Sequence, residues 1–265
     1  MSVVNSPAVS VVLCTNRKSP FLAEAVRSIL GQTFRDLELI IVINGVGEGE
    51  MNEIRSSIGT SDRRMRVEYT PMKGLPFSLN YGIHLARGKY VARMDDDDVS
   101  REGRIAAQFE YLEGHPEITV CGTWYELLDD EGTTRGLVAG KASDKSIRKI
   151  LRYRNPLCHP SVMMRRDALL GVGGYGAAVH CEDYELWVRL SAMKGVRFSV
   201  LPVALLGYRM DAIGSARSSR QAYSHMCGIQ FRMFLDTNDP RWLFGCLITH
   251  AKMIIKAAAR GLKKL

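Results

Sequence analysis

The sequence predicts an α/β protein: an open, mostly parallel central sheet with helices on both faces and a helical segment at the C-terminus. Three observations carry that expectation. Short apolar runs without polar alternation mark strands buried on both faces. Stretches with apolar residues at helical spacing fall between those runs, the rhythm of βαβ units. One run, Tyr90-Val91-Ala92-Arg93-Met94, leads directly into four consecutive aspartates, Asp95 to Asp98, at the strand end where such sheets bind ligands.

The elements follow in order. Residues 9–14 (VSVVLC) form a first strand, ended by Thr15-Asn16-Arg17, and Leu22, Ala25, Val26, Ile29 and Leu30 line one face of a helix over 21–30 that stops at Gly31. A second strand spans 37–43 (LELIIVI) and closes at Asn44-Gly45. A short helix is expected over 51–58, a strand over 65–69, a helix over 78–86, and then the strand that delivers the aspartates. Beyond them come a helix over 104–112 and a strand over 118–124. Residues 129–145 are polar and contain glycine, so a hairpin or mobile loop is expected there. A short strand over 160–164, an amphipathic helix over 183–193 and one or two strands over 197–206 complete the sheet, and the chain is helical beyond Ser215.

A net charge of +8 and a pI near 9.2 call for an anionic partner: nucleic acid, a phosphorylated small molecule or an anionic membrane surface. The basic residues lack the interleaved aromatic platform that single-stranded nucleic acid requires, which argues against that class. Cys14, Cys121, Cys158, Cys181, Cys227 and Cys246 are scattered, with no C-x-x-C pair, and predict buried thiols in a reducing cytoplasm rather than disulfides or a zinc site. No N-terminal basic region precedes a long apolar core, and no window is apolar enough to span a bilayer, so a cytoplasmic location is expected.

Three motif matches fail on context. Gly171-Val172-Gly173-Gly174-Tyr175-Gly176 fits G-x-G-x-x-G, but it follows a short helix-like DALL instead of the first strand. Gly82 to Lys89 has one residue too many for a P-loop, and Tyr90 stands where Ser or Thr would bind magnesium. Asp95-x-Asp97 opens like a calcium loop, yet Ser100 and Ala106 occupy the positions that need Gly and Glu.

The aspartates themselves are the strongest signal. Four adjacent carboxylates repel one another unless a cation or solvent offsets the charge, so an ordered cluster predicts a divalent-metal site. The competing reading is a solvated acidic turn capping the helix near Arg101. Thr15, Asn44 and Asp95 to Asp98 all fall at predicted strand ends and should converge on one crevice.

Ser10 to Leu13 with Thr15-Asn16-Arg17, Ser28 to Phe34, Leu79-Asn80-x-Gly82, Ala86 to Asp98, Arg104, Gln108, His159 to Met163, Gly173-Gly174-Tyr175 and Glu182 to Leu190 together resemble glycosyltransferase family 2 across about the first 210 residues. The resemblance implies a GT-A fold, Rossmann-like in its nucleotide half, and inverting sugar transfer from a nucleotide donor. It also implies a catalytic domain over 1–215, with a nucleotide-sugar half to about 125 and an acceptor half over 126–215, followed by a basic amphipathic segment over 216–265. Asp95-Asp96-Asp97 stands at the family's D-x-D motif. Asp97 is then the direct ligand of Mn²⁺ or Mg²⁺, with Asp95 acting through ribose or water. Thr15, Asn16, Arg17, Asn44, Asn80, Arg93, Asp95 and Asp96 face the nucleotide sugar. Asp183 matches the general base, with Glu182 and His180 beside it; His159 either lines the site or bonds backbone, and Arg93 and Arg209 either meet the diphosphate or pair with the aspartates.

The sequence departs from the family pattern at Ile43-Asn44, where an Asp-Asp or Asp-Asn pair is usual, and at Glu102, where proline is usual. The Tyr-Arg-x-His motif stands as Tyr208-Arg209-Met210-Asp211, so Asp211 either replaces histidine as a harder metal ligand or the metal is held less tightly. Residues 242–265 are apolar and basic with no acid, which suits either an anionic membrane surface or packing on the domain. The expected partners are a UDP-sugar and a glycan or lipid-linked glycan of bacterial surface polysaccharide or lipopolysaccharide, without nucleic acid, with the protein peripheral on the inner face of the plasma membrane. The alternatives are a sugar nucleotidyltransferase, disfavoured because no glycine follows the first strand, and a non-catalytic nucleotide-binding relative.

Overall fold

In a computed structural model, the protein is described over residues 6–176, 178, 180–210 and 219–262, with backbone alone over 257–262. Four parallel strands form the first half of the sheet: β1 (Val9–Thr15), β2 (Leu37–Asn44), β3 (Met65–Thr70) and β4 (Tyr90–Met94). Every residue of β1, β2 and β4 is buried, which explains their lack of polar alternation. Ser10 and Glu38 are polar exceptions on β1 and β2. They bond one another at 2.7 Å, and the Arg87 guanidinium and backbone N–H complete the Glu38 carboxylate.

Helices α1 (Leu22–Leu30), α2 (Glu48–Ser57) and α4 (Arg104–Gly114) cover one face, burying Val26, Ile54 and Ile105 against Val9, Val11 and Leu13. On the other face, α3 (Leu75–Leu85), α5 (Asp144–Leu151) and α7 (Glu182–Ala192) bury Leu79, Ile147 and Trp187 against Val12 and Ile40. Helices α2 and α3 each begin three residues before the apolar pattern predicts. Their first turns are set by Gly47 and Gly74 and by Pro76, which fits an initial helical turn because its missing N–H has no partner to lose there.

The second half of the sheet is mixed. Its strands are β5 (Val99–Ser100), β6 (Val120–Leu128), β7 (Thr134–Val138), β8 (Met163–Arg165) and β9 (Phe198–Arg209), and the order is β3-β2-β1-β4-β8-β6-β9-β5 with β7 paired to β6. The expected late strands are the single twelve-residue β9, parallel to β6 and irregular in register around Trp124. The polar stretch over 129–145 is the β6–β7 hairpin followed by the start of α5. Short helix α6 (Arg166–Gly171) leads into the glycine run, where Gly173 and Gly174 adopt φ of +77° and +70°. A Cβ on Gly174 would meet the Asn80 side chain, so these glycines form a turn locked to α3.

The C-terminal segment is an antiparallel pair, α8 (Arg220–Thr237) and α9 (Pro240–Leu262). Trp242 joins the core beside α7, and Arg152 at the end of α5 bonds both Asp239 and, through its carbonyl, Gln230. One cysteine expectation is corrected: Cys227 and Cys246 form a disulfide between α8 and α9, their Cα atoms 4.6 Å apart. A helical hairpin brings together residues that are 19 apart in sequence, and no local spacing signals it. Cys14, Cys121 and Cys181 are buried thiols outside any disulfide, and Cys158 is partly buried and likewise not disulfide-bonded.

At Gly245 α9 packs closely on the domain, since a Cβ there would lie 1.9 Å from the Arg152 carbonyl oxygen. Gly245→Val should destabilise the protein by roughly 1–3 kcal/mol through overpacking, lowering Tm by several degrees. A circular-dichroism melt identical to that of the unmodified protein would show that this contact is not made.

Candidate active site

The four aspartates at the end of β4 are held by four different partners. Asp95 pairs with the Arg93 guanidinium, which is itself buried. Burial alone would lower the Arg93 pKa, but the Asp95 charge outweighs it and raises the pKa. Asp96 points to β1, where its Oδ2 accepts the Thr15 hydroxyl at 2.6 Å and its carbonyl accepts Ser19 Oγ at 3.2 Å. Burial pushes the Asp96 pKa upward against the Thr15 hydrogen bond. Asp97 Oδ2 lies 3.1 Å from Nη2 of Arg17, whose side chain is 59% exposed.

Asp98 is 1% exposed, and its Oδ1 accepts the Arg209 backbone N–H at 2.9 Å. Its Oδ2 is buried with no hydrogen-bond partner, an arrangement that costs free energy unless another group satisfies it. Ligand oxygens of Asp95, Asp97 and Asp98 lie within 4.8 Å of one another. A cluster of hard carboxylate donors with one orphaned buried oxygen fits Mg²⁺ or Mn²⁺.

A second pair of acids opens α7. Both Asp183 oxygens accept N–H bonds, Oδ2 from Asn155 Nδ2 at 2.6 Å and Oδ1 from the Tyr184 backbone at 2.7 Å, an arrangement that suits a carboxylate. Glu182 is more deeply buried, and burial followed by the neighbouring Asp183 charge pushes its pKa up to about 7. The two side chains therefore differ: Asp183 is set to carry charge, and Glu182 to hold a proton. His159 Nδ1 is 3.9 Å from Glu182, and His159 Nε2 bonds the Tyr175 hydroxyl at 2.7 Å.

A cavity of about 450 Å³ brings Arg93, Asp95, His159, His180, Glu182 and Asp183 together. Arg17, Asp97 and Arg209 line a separate cavity of about 290 Å³. Thr15 and Asn44 are joined by an Asn44 Nδ2 bond to the Thr15 carbonyl at 3.1 Å, and Asn16 is exposed beside them. Asn80 stands apart from the cavity: its amide exchanges two hydrogen bonds, at 2.7 and 2.8 Å, with the backbone of Tyr175. Arg209 is committed to a clamp. It donates to the carbonyls of Asp97, Asp129 and Asp130 and to Glu24, with its guanidinium 3.8 Å from the centre of the Phe21 ring. Asp211 lies outside the described residues.

Residues without a local sequence signal also build the site. Asn155 reaches Asp183 from the loop after α5, and Tyr125, Tyr208, Tyr223 and Met226 line the larger cavity from β6, β9 and α8. Asp98 was readable only as one of four identical letters; its distinct role depends on the end of β9, more than a hundred residues away.

Residues 10–172 match the family model described as Glycosyl transferase family 2. The chain is 30% identical over 249 residues to the O-antigen biosynthesis glycosyltransferase WbnJ of Escherichia coli, covering 94% of this chain and 97% of that one. It is also 30% identical over 190 residues to a UDP-Gal:alpha-D-GlcNAc-diphosphoundecaprenol beta-1,3-galactosyltransferase of Escherichia coli, covering 70% and 68%. Among solved structures, the mannosyltransferase PcManGT of Pyrobaculum calidifontis, in complex with GDP-Man and Mn²⁺, aligns with a TM-score of 0.66 at 18% identity over 94% of this chain and 70% of that one. S. aureus TarS 1-349 in complex with UDP-GlcNAc aligns with a TM-score of 0.64 at 16% identity; 85% of this chain is covered, and it spans 66% of that one. The shared architecture is the GT-A fold.

The Glu182 proton makes a stability prediction. A carboxyl whose pKa rises on folding from 4.5 to about 7 binds its proton more tightly in the folded state, so it loses stability as pH rises across that interval. Glu182→Gln cannot ionise and should become progressively more stable relative to the unmodified protein between pH 4.5 and 7, with a constant difference outside that window. Parallel Tm-against-pH curves throughout would show that Glu182 titrates normally.

Proposed function

The chain belongs to glycosyl transferase family 2 and is a glycosyltransferase, and from that premise we propose that it moves one sugar from a UDP-sugar to a hydroxyl of a glycan or lipid-linked glycan, with inversion and with a divalent metal, in O-antigen or related surface polysaccharide synthesis. The observation that carries the reading is that Asp95 of the acid cluster and Asp183 of the acid pair line one cavity. A nucleotide-sugar donor needs its diphosphate held at one end of such a cavity and its anomeric carbon exposed to a base at the other. The UDP assignment takes support from the donor named for the galactosyltransferase relative and from the ligand of TarS.

In this reading Asp95, Asp97 and Asp98 hold Mn²⁺ or Mg²⁺, which when bound supplies Lewis-acid stabilisation of the diphosphate leaving group. Arg17 is the exposed cation beside Asp97, free to turn toward phosphate oxygens, whereas Arg93 and Arg209 are buried and already paired. Asp183 takes the proton of the acceptor hydroxyl as its oxygen attacks the anomeric carbon, and the carbon–oxygen bond to the diphosphate breaks on the opposite side. Asn155 fixes the Asp183 carboxylate for that transfer. Glu182, with its pKa pushed up to about 7, holds a proton below neutral pH far longer than an ordinary carboxyl, and in that form it can donate a hydrogen bond to substrate without adding a second negative charge beside Asp183. Asp211, beyond the described residues, stays a further candidate ligand.

A thermal-shift panel of UDP-, GDP-, CMP- and dTDP-sugars with and without Mn²⁺ tests the donor assignment. Stabilisation by UDP-sugars that requires Mn²⁺ is the expected result, and a shift with another nucleotide alone would overturn the UDP assignment. Asp97→Ala should remove the Mn²⁺-dependent part of the shift. Asp183→Asn should keep the donor shift and lower kcat by about 10²–10⁴, the usual contribution of a general base; near-normal turnover in that variant would move the base to another residue.

A further inference from the structure

We propose that the α8–α9 hairpin is a docking surface for an anionic lipid bilayer and that it seats the mouth of the acid-lined cavity at that surface. The membrane contact stands on the hairpin alone; its use in presenting a lipid-carried glycan rests on the transferase reading above.

Helix α9 has two apolar faces. Trp242, Gly245 and Thr249 turn inward and are buried on the domain. Phe244, Leu247, Ile254 and Ile255 recur on the opposite face at helical spacing and are 58%, 59%, 55% and 67% exposed. Helix α8 adds Phe231 and Leu235, one turn apart and also exposed. So many large apolar side chains facing water on one helical pair mark an interaction surface. Among the described residues no helix is long and apolar enough to cross a membrane, so the surface suits contact in the plane of the headgroups.

Charge selects the occupant. Residues 220–262 carry six Lys or Arg against two Asp, and α9 itself contains no acid. Both aspartates are engaged, Asp236 with Arg232, and Asp239 with Arg152 and Arg241. Lys252 is exposed at the edge of the apolar stripe, one turn from Ile255, and Lys256, also exposed, stands one turn further along on the side of the helix that faces Tyr223. A second copy docking through the same face would bring these cations against their own kind, whereas anionic headgroups neutralise them.

The hairpin also reaches the active site. Ala222, Tyr223 and Met226 from the first turns of α8 line the 450 Å³ cavity, and Lys256 Nζ lies 5.4 Å from the centre of the Tyr223 ring. The basic half of α9 therefore adjoins the cavity wall. A glycan carried on a lipid enters from the same boundary that the hairpin occupies.

The test is co-sedimentation of the full chain with phosphatidylglycerol-rich vesicles and with vesicles of phosphatidylcholine alone, alongside sedimentation velocity without lipid. The expected result is binding to the anionic vesicles, weakened roughly tenfold or more by Phe244→Ser with Leu247→Ser. Lys252→Gln with Lys256→Gln should weaken it by about 30-fold, with unchanged melting curves for both pairs. Failure of the unmodified chain to bind, or binding unaffected by either pair, overturns the proposal. A dimer that the Phe244 and Leu247 changes split, with vesicle binding intact, assigns the face to a second copy instead. The donor thermal shift separates the two readings: vesicle binding without any nucleotide-sugar response would sink the transferase assignment and leave the docking surface standing.

Discussion

Four carboxylates on consecutive residues cannot be ordered together unless each finds its own source of positive charge or hydrogen-bond donors, and that constraint organises the sheet. Asp95 is neutralised from within its own strand, by Arg93. Asp96 is taken by the end of β1, Asp97 by the loop after β1, and Asp98 by the end of β9. The parallel and mixed halves of the sheet are thus tied at one point. Arg209 extends the tie: its backbone serves Asp98, while its side chain grips Glu24 of α1 and the turn of the β6–β7 hairpin. With those contacts made, the remaining unsatisfied acceptor is Asp98 Oδ2, adjacent to Asp95 and Asp97. One buried carboxylate oxygen beside two further carboxylates is thus left without a hydrogen-bond donor, and a hard divalent cation is a group that satisfies such oxygens.

The acid pair at α7 solves a different electrostatic problem. Two neighbouring carboxylates in a partly apolar cavity separate their roles when their surroundings differ. Two N–H donors favour charge on Asp183, and burial favours a proton on Glu182. Support for this arrangement runs outward through His159 to the Tyr175 hydroxyl, and from the Tyr175 backbone to Asn80. The glycine run that looks like a dinucleotide loop belongs to this support. Gly174 gives the chain a left-handed turn with no Cβ where Asn80 passes, so its glycines serve packing and not phosphate.

What the sequence disclosed follows from which interactions are local. Strands β1, β2 and β4 were legible because burial on both faces removes polar alternation, and the acid cluster was legible because its residues are adjacent. Helix α5 went unread: it begins at the last two residues of the polar stretch and continues to Leu151, and only Ile147 and Leu151 of its eight residues are buried. Roles were less legible than elements. Gln32, Arg104 and Gln108 fall in stretches that carried the family resemblance, and the structure gives them architectural work. Gln32 accepts the Ile105 N–H near the start of α4, and Arg104 and Gln108 tie that helix to the carbonyls of Arg93, Cys121 and Ser161. Asn155, the Arg209 clamp and the Cys227–Cys246 bridge depend on contacts between distant segments, and no periodicity encodes those.

The C-terminal helix shows why one sequence pattern can suit two answers. An apolar and basic stretch without acids suits either packing on the domain or contact with a membrane, and amphipathicity is usually taken to mean that one face is spoken for. Over 23 residues α9 has room for two opposed faces. Trp242 and Gly245 seat one face tightly enough that a single Cβ would collide with the Arg152 carbonyl. That seating fixes the direction in which Phe244, Leu247, Ile254 and Ile255 point, and leaves them in water with Lys252 at their edge. A helix loosely attached to the domain could rotate to hide these side chains; one pinned at Gly245 cannot. The rigid attachment that argues for packing is therefore what keeps the outer apolar face exposed, and it holds that face in a constant relation to the cavity wall formed by α8.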